Sequence, residues 1–171
     1  PYPGTSVIIP EVAVKPVISS GITGEAGDIA IASGSFLTVT GGTIRIHGTA
    51  SGPGLIDATA GTAEFSGTLP QAVPASLFAG DRVMNLTVSN AAGVTLGCPL
   101  NVTGKVLIQN GNLASGGHLT LISDATGTAL IDGSGAGTVT GNVTMQRYLP
   151  SRFGYRYFSS PFTSSLVSEF G

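Results

Sequence analysis

Five short segments decide the fold: Leu86-Thr87-Val88-Ser89-Asn90, Val94-Thr95-Leu96-Gly97, Leu100-Asn101-Val102-Thr103-Gly104, Lys105-Val106-Leu107-Ile108-Gln109-Asn110-Gly111 and His118-Leu119-Thr120-Leu121. In four of them apolar side chains flank a polar one, the period-two signature of a half-buried strand, and in Lys105–Gly111 the apolar run Val106-Leu107-Ile108 lies between polar residues. The strands recur about every six to eight residues, and three such steps make a period of about 20, which lies in the solenoid range. Leu86 to Val106 is one period, and Val94 to Leu113 is nearly one. That arithmetic predicts a right-handed parallel β-helix with three short strands per turn. One turn cannot bury its inward Val, Ile and Leu alone, and stacking closes the core. The competing architecture is a β-sandwich, whose strands are longer and recur every 8–12 residues.

The same rhythm extends in both directions. Upstream lie Phe36-Leu37-Thr38-Val39-Thr40-Gly41-Gly42 and Thr43-Ile44-Arg45-Ile46-His47-Gly48; downstream lies Asn142-Val143-Thr144-Met145. No stretch shows a helical period with caps. The rhythm predicts that Val106, Ile108, Leu119 and Leu121 point inward. Asn90 and Asn110 each follow the last apolar residue of a strand by two positions, which predicts an amide ladder between successive turns.

The composition agrees with this reading. Charged residues are 9% of the 171, hydrophobic residues 42%, and Gly alone contributes 26. Disordered chains are poor in β-branched residues, and this one is rich in them. The formal net charge of -2 and the scattered cations exclude the basic footprint that nucleic acid requires. No apolar run is long enough to span a bilayer. The expected unit is therefore a β-solenoid over residues 1–146. Near Tyr148 the Gly/Thr rhythm stops, and seven of the eleven aromatics follow, with Arg147, Arg152 and Arg156 among them. Residues 147–171 read as the start of a second β unit or as a cap on the last turn, with Tyr148 or Phe153 against Val143 and Met145.

Four sets of motifs follow one another along the chain: Val7-Ile8-Ile9-Pro10 with Lys15-Pro16-Val17-Ile18-Ser19; Gly61-Thr62-Ala63-Glu64-Phe65-Ser66-Gly67; Asn85-Leu86-Thr87-Val88-Ser89-Asn90; and Val143-Thr144-Met145-Gln146-Arg147-Tyr148-Leu149-Pro150 with Tyr157-Phe158-Ser159-Ser160-Pro161. In this order they resemble the opening, the internal strands and the closing segment of the repeat region of large secreted cell-surface proteins of Bacteroidetes. The resemblance implies a type IX secretion substrate, placed outside the cell or on its outer surface, with an adhesive or scaffolding role. It implies truncation as well, since no sorting domain is present. It implies no chemistry.

A search for chemistry agrees. His47 and His118 belong to no zinc-binding spacing, and His47 reads as a strand-end residue facing water. Cys98 is alone, beside turn residues, and reads as a small apolar filler. Gly133-Ser134-Gly135-Ala136-Gly137 lacks the lysine and helix of a phosphate loop and reads as a turn. Asp57, Glu64, Asp124 and Asp132 are the carboxylates that a polysaccharide-cleaving β-helix would use. Asp124 and Asp132 are the candidate calcium ligands, although each lies in a Gly-rich turn where Asp bonds its own backbone. No cofactor is expected. Partners of the expected kind are further copies, other surface proteins, or glycans. A carbohydrate-binding or accessory domain of a polysaccharide-degrading enzyme is the alternative function. It needs exposed rings; Phe36 and Phe65 follow the core rhythm, so Tyr148, Tyr155 and Tyr157 are the candidate platform.

Overall fold

A computed structural model describes residues 4–151 of the chain. Among them are fifteen strands and no helix, hence no helix able to cross a membrane. The strands build three faces. The first holds β2 (Val17–Ser19), the leading parts of β5 (Phe36–Ile46), β7 (Leu55–Phe65) and β9 (Phe78–Leu96), then β10 (Leu100–Val102), β12 (Leu119–Leu121) and β15 (Val143–Met145). The second holds β3 (Thr23–Ala26), later parts of β5, β7 and β9, the first half of β11 (Lys105–Ala114), and β13 (Leu130–Asp132). The third begins with β1 (Val7–Ile9), β4 (Ile29–Ile31) and β6 (Ala50–Ser51), and continues with β8 (Gln71–Val73), the ends of β9 and β11, and β14 (Thr138–Thr140).

Every strand-to-strand pairing is parallel. The architecture is the expected right-handed parallel β-helix, about seven turns deep, and a β-sandwich is excluded. Parallel neighbours must be joined by crossovers, and the right-handed twist of strands favours this hand of winding. The register also agrees with the expected period: Leu86 pairs with Val106 and Val94 with Leu113.

The core is a set of inward columns. One runs Ile44, Ala63, Leu86, Val106, Ile131; its neighbour runs Ile46, Phe65, Val88, Ile108. Val106, Ile108, Leu119 and Leu121 are buried, as the alternation predicts. Phe65 is also buried, but Phe36 is 38% exposed. It stands opposite Leu55 and one position before the inward Leu37–Ile56 pair, so strand alternation turns it outward.

The faces meet at corners that long strands turn without breaking. In β11 the corner falls at Gly111, whose φ is 79°. A Cβ there would collide with the carbonyl oxygen of Asn90 in the turn above. Glycine supplies both the left-handed backbone and the close approach. The third face contains one discontinuity: β6 and β8 do not pair, so its two halves are separate ladders. The last strand among the described residues ends at Met145. Beyond Ser151 the expected second unit or cap over 147–171 lies outside the described residues.

Candidate functional site

Side chains of opposite charge converge on the outer surface of the second face. Along β5, Ile44 and Ile46 point inward, so Arg45 points out. The parallel register places Glu25 beside it in the turn above and Glu64 beside it in the turn below. Arg45 Nη1 donates to Glu25 Oε1 at 2.7 Å, and Arg45 Nε lies 3.0 Å from Glu64 Oε2. His47, just past the end of β5, brings Nε2 to 2.6 Å from Glu25 Oε2. Its Nδ1 lies 3.1 Å from the Ser66 hydroxyl and 3.3 Å from the Ser66 carbonyl oxygen. Three of the four ion pairs among the described residues belong to this cluster.

Electrostatics ties these groups together. Partial burial pushes the Glu25 carboxyl up, but the His47 hydrogen bond and the charges of Arg45 and His47 outweigh it and hold the carboxyl low. The Glu64 carboxylate beside it raises Arg45 further against the opposing effect of burial, and Glu25 adds to this. His47 therefore does not face open water, as its position at a strand end suggested. It is a partly buried link between Glu25 and Ser66.

Ser66, His47 and Glu25 stand in the order of a nucleophile, a base and an orienting carboxylate. An acyl-transfer site also needs donors aimed at a developing oxyanion and a cavity beside the nucleophile. A shallow cleft of about 170 Å³ lies at the corner formed by Pro70, Ala92, Gly93, Gly111 and Asn112, whose lining includes none of the three. The contacts of the hydroxyl and both imidazole nitrogens join three turns.

A second polar cluster spans the break in the third face. Gln71 is buried, and its amide uses every hydrogen-bonding position. Its Nε2 donates to the carbonyl oxygens of Ile46 (3.0 Å) and Gly48 (2.7 Å). Its Oε1 accepts from Gly67 N–H and from Asn90 Nδ2, both at 2.9 Å. Asn90 Nδ2 also donates to Leu69 O at 2.8 Å, and its Oδ1 accepts from Ala92 N–H at 2.8 Å. Gln71, in β8, is thereby bonded to the segment that leads into β6, a strand with which β8 does not pair.

The predicted ladder between Asn90 and Asn110 is not formed. Gln109 is an extra residue in β11, so Ile108 pairs with Val88 but Asn110 pairs with Ser89, and Gly111 pairs with Asn90. Asn110 is exposed, while Asn90 is completely buried on Gln71. The contact across this step is instead Ser89 Oγ donating to Gln109 Oε1 at 2.7 Å.

The remaining candidates are dispersed. Asp124 Oδ1 accepts from the backbone N–H groups of Thr126 and Gly127, and Asp132 Oδ1 accepts from Ser134 N–H. Asp132 Oδ2 also meets Lys105 Nζ at 3.2 Å. Asp57 closes a similar turn onto Thr59, and Glu64 is committed to Arg45. No three His, Cys, Asp or Glu side chains among the described residues converge as a metal site. Cys98 is buried, with its thiol toward Pro74 O at 3.5 Å; burial first, and then the Asp81 charge, pushes that thiol up. A thiol so placed is not a nucleophile. Tyr148 is 44% exposed, and its N–H donates to Ser123 Oγ at 2.9 Å. Tyr155 and Tyr157 lie outside the described residues.

The residues that do converge carry a readable signal. Glu25, Arg45 and Glu64, like the pairs His47–Ser66 and Gln71–Asn90, are separated by about one solenoid period of 20 residues. Comparison with protein-family models, curated proteins and solved structures finds no match to this chain.

Proposed function

We propose that the chain is a structural, adhesive module of a secreted bacterial surface protein, extracellular or on the outer cell surface, and that it performs no catalysis. The carrying observation is how its polar side chains are used. Glu25, Arg45, His47, Glu64, Ser66, Gln71 and Asn90 are each bonded to a group in a neighbouring turn or across the break in the third face. Groups committed to one another in this way fasten a stack of turns. Around them runs a parallel ladder whose backbone donors and acceptors are paired from turn to turn. Such a ladder suits a durable spacer, and the ordered resemblance to surface-protein repeats supports the location and type IX export. The fitting partners are other surface proteins or further copies. The alternative, a glycan-binding accessory domain, has its candidate platform in Tyr148, Tyr155 and Tyr157.

The test has two arms. Antibody raised against the solenoid should label intact cells of the parent bacterium, and no labelling of intact cells would reject the surface assignment. On a glycan array the chain should give no signal that the Tyr148→Ala/Tyr155→Ala/Tyr157→Ala variant loses. A signal lost in that variant would establish the glycan-binding alternative.

A further inference from the structure

Among the described residues, no strand stacks on the last turn of the solenoid core. Ile131 continues the column below Val106, Val139 lies below Leu113, and Val143 and Met145 lie below Leu119 and Leu121. The four residues above are at most 1% exposed, whereas Ile131 is 39% exposed. Val139, Val143 and Met145 are only partly buried against the core. The chemistry does not change between these turns; the difference is the covering turn, which the described residues do not supply.

We propose that this open turn is a receiving surface and that its occupant is segment 152–171 of the same chain. The chain's exit favours that occupant. Gln146 N–H donates to Leu121 O, Gln146 Oε1 accepts from Ser123 N–H, and Tyr148 N–H donates to Ser123 Oγ. These bonds hold the departing chain beside the open turn. The twenty residues that follow reach about 65 Å when extended, far more than one face of a turn. They contain Phe153, Tyr155, Tyr157, Phe158, Phe162 and Phe170, the densest ring content in the sequence. Such rings lose most by staying in water, and the apolar end of the core is the surface that would take them. Tethering adds a high effective concentration, which favours this segment over a second copy. An uncovered end would also template association with other chains.

Methionine methyl NMR on the full chain tests the proposal, since Met84 and Met145 are the two methionines. With ¹³C-methyl methionine, the Met145 methyl should be shifted upfield by ring currents. It should also show NOEs to aromatic protons that persist on dilution. Exposed Met84 serves as the internal reference. Tyr155→Leu/Tyr157→Leu/Phe158→Leu should move the Met145 signal back toward the Met84 position, and Tyr148→Leu should leave it shifted. An unshifted Met145 methyl without aromatic NOEs would overturn the proposal, as would a shift abolished by Tyr148→Leu alone. Ring NOEs that appear only between labelled and unlabelled molecules in a mixed sample would replace the occupant with a second copy.

Discussion

At the residue scale, two asparagines show how one inserted position separates a structural residue from a surface one. Asn90 is enclosed and bonded to Gln71, Leu69 and Ala92, and Asn110 is exposed one residue past a bulge. Removing a buried polar partner leaves its mates unsatisfied, at about 1–3 kcal/mol per group. Gln71→Ala and Asn90→Ala are each expected to lower unfolding free energy by about 2–3 kcal/mol on that basis, and Asn110→Ala to change it by less than about 0.5 kcal/mol. Urea titrations of the three variants check the order; equal effects at Asn90 and Asn110 would contradict the register. The inward columns give a harsher version of the same test. Ile108 is 2% exposed in the middle of a column, so Ile108→Asp places an unpaired charge in the core and is expected to abolish folding. A soluble, protease-resistant Ile108→Asp protein would refute the assigned core.

At the element scale, the corners and the charged ladder decide how strands become turns. Gly111→Ala would combine a φ of 79° with a collision against Asn90, and is expected to cost about 2 kcal/mol or more. Gly127→Ala, with open space around the added Cβ, is the near-neutral control. The ladder makes a pH prediction. The folded Glu25 carboxyl is held below its ordinary value of 4.5. Its contribution is thus complete above that value and is lost as pH falls through the lower folded one. Asp132, lowered to about 2 by Ser134 and then by Lys105, extends the loss to more acidic pH. Melting temperature should therefore stay flat, for these groups, from neutrality to about pH 5 and fall below it. Glu25→Gln should melt lower at neutrality and converge with the parent in acid; parallel curves at all pH would exclude the ladder's role. The sequence made the strands and the turn period legible, because alternation and spacing are local properties. The clusters were harder to see. Glu25, Arg45 and Glu64 sit about one period apart, but corner lengths vary. A shift of one residue, like Gln109 in β11, decides whether two polar groups meet. The same holds for His47: its partners Glu25 and Ser66 are set by the turns above and below, and its strand-end position alone does not reveal them.

At the scale of the whole molecule, a solenoid differs from a compact domain in how its stability is distributed. Each turn touches only its neighbours, so stability is approximately a sum of turn terms and interface terms. Inner turns have two interfaces and end turns have one. In β9, Val83, Leu86 and Val88 are completely buried, flanked by the turns of β7 and of β10 and β11. At the N-terminal end, Ile9 and Ile18 are buried to a lesser degree, and Ile8, Val14 and Val17 are well exposed. Local opening should therefore start at the first turn and reach β9 last. Hydrogen exchange followed by mass spectrometry should show amides of Val7–Ile9 and Val17–Ser19 exchanging many-fold faster than those of residues 83–88. Leu86→Ala, a truncation at the centre of the stack, should cost about 2–5 kcal/mol and speed exchange on both sides of it. Ile9→Ala removes support from one interface only, so its effect should fade within a turn or two. The contrast between the two variants is the informative result. If both accelerate exchange equally over residues 4–151, the chain unfolds as one cooperative unit, and the nearest-neighbour account of its stability is wrong.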